Sequence, residues 1–252
     1  AGEAYGRGWH NVGLVSRIGN LGRVDRAKTD QSQTPRHLGG GTPVPGVRWV
    51  NMHGPEVDGL DVEVLTRMEM NHRKFIWNNV QRTRQTPGYE KVYLVETAPQ
   101  LGVRITRILN GLNRVRLSDL REATKFPDVV GVGGSSGATH GEWQIPYGAL
   151  VPTKVDNVLA AGRCISVTHE ALGTTRVMKT CGMMGEVVGK AASLCTQFAC
   201  APRDVYAQHL EALKELCRLP SKSRRATLAD PLVIPADAPE ARPEGPPSDR
   251  LR

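Results

Sequence analysis

Between residues 61 and 85 apolar positions recur every three to four residues: Leu65, Met68, His72, Phe75 or Ile76, and Asn79 or Val80. That spacing predicts a helix, stopped by Pro87-Gly88. Residues 91–96 (K-V-Y-L-V-E) and 102–109 (G-V-R-I-T-R-I-L) are rich in β-branched side chains and partly alternate, which predicts strands. Ser118 offers an N-cap for a short helix reaching Lys125, and residues 128–132 read as a strand entering a Gly-rich turn. Residues 155–162 (V-D-N-V-L-A-A-G) read as a short buried strand, followed by a helix over 177–198. One face of that helix carries Met184, Val187 or Val188, Ala191 and Leu194; a second stripe, Gly182, Gly185, Gly189 and Ala192, is small throughout. Glycine costs up to about 1 kcal/mol in a helix interior relative to alanine, so the stripe implies close approach by a backbone or a ligand. A last amphipathic helix is predicted over 204–218, with Tyr206, His209 or Leu210, Leu213 and Leu216 or Cys217 on one side.

These elements divide the chain into four stretches. Residues 1–48 read as an irregular Gly-, Pro- and Arg-rich segment, with residues 39–46 (G-G-G-T-P-V-P-G) a loop by composition. Residues 49–144 form a strand-containing substrate-side region, and 145–218 a strand-loop-helix part. Residues 219–252 turn Pro-, Ala- and charge-rich, an extended tail suited to wrapping a partner. The expected fold class is α/β.

Composition narrows the picture. Of 252 residues 39% are hydrophobic and 23% charged, the balance of a globular chain. No apolar run is long enough to cross a bilayer. The net charge of +8 favours anionic partners without choosing among phosphates, carboxylates, acidic proteins and nucleic acid. An aromatic content of 5%, without an RNA-binding signature, does not point to nucleic acid. The five cysteines, 164, 181, 195, 200 and 217, lack C-x-x-C spacing. They read as reduced thiols of a cytoplasmic compartment, not as a disulfide framework or a metal site. The chain opens without Met and without a charged-then-apolar leader, so its start is expected to follow processing or a further stretch of chain.

The chemistry concentrates in residues 145–193, a hydrophobic strand, a loop crowded with polar groups and a Gly-bearing helix. Free amides at a helix start, with the helix dipole, favour an electron-rich ligand: a flavin carbonyl, a pyrophosphate or a substrate carboxylate. The residues then narrow further. The chain carries I-P-Y-G-A-L-V-P from Ile145, D-N from Asp156, A-G-R-C-I-S from Ala161 and H-E-A-L-G from His169. R-V-M from Arg176, T-C at Thr180 and Cys181, Gly185 and Gly189 follow. This run closely resembles the C-terminal signature of the FAD-dependent oxidoreductase family related to the glutathione-reductase-type flavoproteins. A fainter likeness extends upstream through residues 98–104, 126–128 and His140. Two positions depart from the pattern: Lys179 stands where Pro is usual, and Ile105 where an acidic residue is usual.

The resemblance implies FAD as cofactor, with Gly162, Arg163, Cys164, Ile165, Ser166, Gly173, Val177, Met178, Thr180, Cys181 and Gly185 lining it. It nominates His169, Arg176 and Tyr147 for substrate orientation or proton transfer, with His140 and Arg104 on the substrate side. A small organic substrate, hydride transfer and assembly into an oligomer are expected. No strand–G-x-G-x-x-G–helix unit is present, since residues 131–137 run into Pro146 without room for the helix. The unit holding the ADP half of FAD is therefore expected on a second polypeptide or on an N-terminal part.

Blander readings stand beside these. The Gly stripe serves packing alone; Cys164 and Cys181 are small hydrophobes; His169 bonds internally beside Glu170. Arg163, Arg176 and Arg104 are ion-paired scaffolding, and the basic residues 67, 73, 74, 82 and 84 are a solvated face. The alternative function is a non-catalytic assembly subunit that keeps the flavoprotein fold and binds an acidic partner.

Overall fold

Alternation decides the first long element. In Gly13–Gly19 (β2), Leu14, Ser16 and Ile18 are buried while Val15 and Arg17 face outward. Glycines at both ends and the polar Ser16-Arg17 pair hide this strand in a composition that reads as loop. The computed structural model describes residues 3–4, 12–30, 32, 35, 38–134, 139 and 141–218. The tail over 219–252 and His140 lie outside them.

β2 is a central strand of a four-stranded antiparallel sheet. Gly40–Gly41 (β3) pairs with Arg48–His53 (β4), β4 with β2, and β2 with Tyr93–Thr97 (β5). Leu14 sits opposite Met52, and the β2–β5 register shifts between Arg17 and Ile18. Arg17 and Glu96 pair at 2.7 Å on the outer face. The helix Val62–Arg84 (α1) covers the sheet, its Asp61 N-cap accepting from the amides of Glu63 and Val64. His72, Ile76 and Val80 are its buried residues, and Phe75 is exposed. Arg73 does not belong to a solvated face. Its guanidinium pairs with Glu69 at 2.7 Å and bonds the Thr97 hydroxyl and Ala98 carbonyl, fastening α1 to the end of β5. Val12, Leu14, Ile76 and Leu101 form the small core between sheet and helix.

The larger core gathers Trp143, Ile145, Tyr147, Leu150, Ile165, Leu172 and Met184 with residues of the last helices. Val129–Gly133 (β7) pairs antiparallel with Trp143–Pro146 (β8). The missing side chains of Gly131 and Gly133 leave the space taken by Met183 and the Trp143 ring. Gly131–Gly133 thus prolong the strand rather than starting a loop, while residues 135–138 lie outside the description. Met178–Phe198 (α4) packs Met184, Val187, Ala191 and Leu194 inward, as its period predicts.

Several expectations change. Residues 102–109 contribute only Arg107–Ile108 (β6), paired with Glu3–Ala4 (β1), plus a bridge from Gly102 to Gly13. The short helix is Leu117–Arg121 (α2), and its start is held by the Asp119 carboxylate accepting from the Arg116 amide at 2.8 Å, not by Ser118. His169–Thr175 (α3) precedes α4. The terminal helix is two, Pro202–Gln208 (α5) and Leu210–Arg218 (α6), broken at His209, whose ring stacks on Phe198 at 4.1 Å. Residues 155–162 form no strand. The backbone turns left-handed at Asn157, φ 54°, which interrupts an extended run, and Val155 and Val158 are 41% and 43% exposed. Helices and strands are mixed as the α/β expectation requires, with every named strand pair antiparallel.

Candidate functional site

The signature residues enter the large core as one thread. Tyr147 donates its amide to the Asp128 carbonyl, and Gly148 donates to the Asp128 carboxylate, at 2.7 and 2.8 Å. Residues 164–168 then bond neighbours on both sides: Leu109 to the Cys164 carbonyl, Ser166 to Ala149, Val115 to Ser166 and Thr168 to Val115. This ties down the approach to α3. The Thr168 hydroxyl caps the helix by accepting from Ala171, and His169 opens it, half-buried.

At the far end Arg176 is the C-cap of α3, and Val177 the N-cap of α4. The Cys181 thiol donates to the Arg176 carbonyl at 3.1 Å, holding the junction closed. Gly162, at φ 90°, turns the preceding loop against Cys181; a side chain there would be strained. Arg163 follows, exposed, its guanidinium bonded to the Val103 carbonyl beside Arg104. The junction holds three buried polar atoms without a hydrogen-bond partner: the Thr175 and Thr180 hydroxyls and Arg176 Nε. Buried polar atoms of this kind are normally satisfied, and a ligand seated at the junction would meet all three at once.

The electrostatics agree. Burial, and after it the charges of Arg104 and Arg163, lowers the Arg176 guanidinium from its ordinary value, opposed by the Cys181 thiol. Burial alone lowers Arg104. Burial also pushes the Cys181 thiol up, with Arg163 pulling the other way, so it is a thiol and not a thiolate at neutral pH.

Residues 20–215 match the sequence pattern of the family described as FAD dependent oxidoreductase. The chain belongs to that family. No curated protein and no solved structure matches it. FAD is the cofactor of this flavin oxidoreductase, and the α3–α4 junction fits such a group. The unpartnered Thr175, Arg176 and Thr180 atoms are two hydroxyls and a cation, which suit the carbonyl-bearing ring edge or the phosphates of FAD.

The residues expected around the cofactor do not all line the α3–α4 junction. Ile165 and Ser166 are fully buried, Ile165 in the core and Ser166 bonded through its backbone to Ala149 and Val115. Tyr147 is also fully buried. Its hydroxyl donates to the Pro202 carbonyl at 3.1 Å and its ring stacks near Tyr206, a supporting position. Burial, then Cys195 and Cys200, pushes that phenol far up. Cys164 is exposed and bonds the Ala161 carbonyl at 3.4 Å; Gly173 and Val177 are half-buried; Met178 is 91% exposed. Gly185 faces open space. Arg104 is half-buried near Gly13, its Nη2 3.4 Å from where a Cβ there would lie. Ile105, the unusual position, is a core residue, and Lys179 extends toward Gly134. Thr175 was not legible beforehand, since a threonine inside a helix carries no signal that its hydroxyl will lack a partner.

A cavity of about 700 Å³ lies apart from the junction, between α1 and the sheet, lined by Ser16, Ile18, Met52, Phe75, Ile76 and Asn79 among others. Among the described residues no three His, Cys, Asp or Glu side chains gather as a metal site, and no helix is long and apolar enough to cross a membrane.

Proposed function

We propose that this chain supplies the flavin-facing and substrate-facing part of a glutathione-reductase-type flavoenzyme that transfers a hydride between a small organic substrate and FAD. The observation that carries the reading is the α3–α4 junction, where Thr175, Arg176 and Thr180 present buried, unpartnered polar atoms inside the segment that resembles the family signature. The loop at 162–164 and the start of α4, from Val177 to Cys181, hold the cofactor. Bound FAD supplies the hydride-accepting centre, and the protein supplies orientation, electrostatics and exclusion of water. His169 moves a proton or orients the substrate from the start of α3, and Arg176, at its end, holds the substrate's polar group.

The dinucleotide-holding unit belongs to a companion segment, and two bare surfaces support where it sits. Gly182, Gly185 and Gly189 of α4 face open space, and Val155 and Val158 are exposed in the loop before Gly162. A groove of about 610 Å³ runs beside them, lined by Asn157, Leu159, Gly185, Val188, Gly189 and Ala192 among others. Apolar surface of this kind is stable when covered.

The test is made on the protein isolated with its native partners. It should carry a flavin spectrum, and His169→Ala should cut turnover by about a hundredfold or more while flavin is retained, the usual contribution of a proton-transferring group. Unchanged turnover removes His169 from the mechanism. An assembly devoid of flavin leaves the non-catalytic subunit reading in its place.

A further inference from the structure

We propose that the substrate carries a carboxylate, gripped at the α3–α4 junction by the guanidinium groups of Arg176, Arg104 and Arg163. The inference rests on the oxidoreductase reading above and names the substrate class for the same site. The stretch around Arg104, the turn at Gly162 and the end of α3 bring these side chains together. Arg176 is fixed from both sides: its amide bonds Leu172 at 3.2 Å and its carbonyl takes the Cys181 thiol. Arg163 leaves the turn at Gly162 and reaches the Val103 carbonyl, which places it against the residue next to Arg104.

The grouping is costly as it stands. Arginine does not shed its proton within a protein, so like charges here are relieved by an anion and not by titration. The charges of Arg104 and Arg163 both act on Arg176, and burial deprives Arg104 and Arg176 of water at the same time. Arg176 Nε is in addition buried without an acceptor. An anion offsets the repulsion and satisfies that donor together. A carboxylate suits the edge in question, because Nε–H and the neighbouring N–H of a guanidinium form two parallel donors that match two carboxylate oxygens. Position points the same way. His169 and Arg176 stand seven residues apart across α3, about two helical turns, and so share a face. The anion holder thereby sits on the same side as the imidazole that serves the substrate, as one bound molecule requires.

The test titrates the natively assembled, FAD-loaded protein with acetate, succinate and inorganic phosphate, reading the visible flavin band and the melting temperature. Succinate should perturb the band saturably. Arg176→Gln should weaken that response about tenfold or more, the loss of a charge-assisted pair. Arg104→Gln and Arg163→Gln should weaken it severalfold and Arg176→Lys should recover part of it, each response being read per flavin bound. Exposed Arg163 keeps the test sound even where a change at Arg176 harms folding. Equal succinate response in all variants overturns the inference. So does a phosphate response with none to succinate, or loss of FAD from the variants without any carboxylate response in the wild type, which assigns the guanidiniums to cofactor phosphates. A flavin-free protein that succinate still stabilises, with the stabilisation lost in Arg176→Gln, upholds the anion site while removing the oxidoreductase reading.

Discussion

Tyr147 and the cysteines show how far a residue's chemistry depends on where it is put. The Tyr147 hydroxyl is spent on the Pro202 carbonyl in a fully buried setting, so Tyr147→Phe leaves that carbonyl without its donor. We expect a loss of about 1–3 kcal/mol in urea unfolding, with flavin content unaltered. The thiols of Cys181, Cys195 and Cys217 are all raised, by burial first. A group raised in the folded state keeps its proton longer there than in the unfolded chain. Its stabilising contribution is therefore complete below the unfolded value and is lost as pH rises through the folded one. Unfolding free energy should fall above about pH 8.5, the ordinary thiol value, and replacing the three cysteines by alanine should flatten that slope. A slope unchanged by the substitutions would assign the alkaline loss to other groups.

Among the elements, those built on local periodicity were the legible ones. The helices α1 and α4 begin and end within a residue or two of where their apolar spacing puts them. Strands depend on neighbours that the local pattern does not contain. Val155 and Val158 look like a buried strand and are exposed, whereas Gly13–Gly19 looks like loop and is central to a sheet. The break at His209 was hidden because the apolar face continues across it through Tyr206, Leu210 and Leu213. The signature segment contains the α3–α4 junction, but the approach of Arg104 to Arg163 and Arg176 is tertiary and carries no local mark. α4 itself yields a prediction. A methyl at Gly185 meets nothing within 4 Å, so Gly185→Ala should raise the stability of this chain by up to about 1 kcal/mol. The same substitution should weaken union with a companion that packs on that face, read as a rise in its dissociation constant.

For the whole molecule, the family match from residue 20 to 215 spans both the sheet-and-helix region and the larger core. On the proposed reading, residues 162–181 contact only part of so long a cofactor. Refolded alone, the chain should fail to retain FAD after gel filtration, and should gain it when the companion is added; flavin absorbance that stays with the chain by itself would sink the two-part arrangement.

The pairing of Gly133 with Trp143 has a consequence for descent. A Cβ at 133 would lie 2.2 Å from the indole, whose Nε1 donates to the Gly134 carbonyl at 2.9 Å. Alanine at 133 and tryptophan at 143 exclude each other, so a relative with a side chain at 133 should lack the tryptophan. With the indole in place, position 133 has no neutral first step: the larger partner has to shrink before the smaller one can grow.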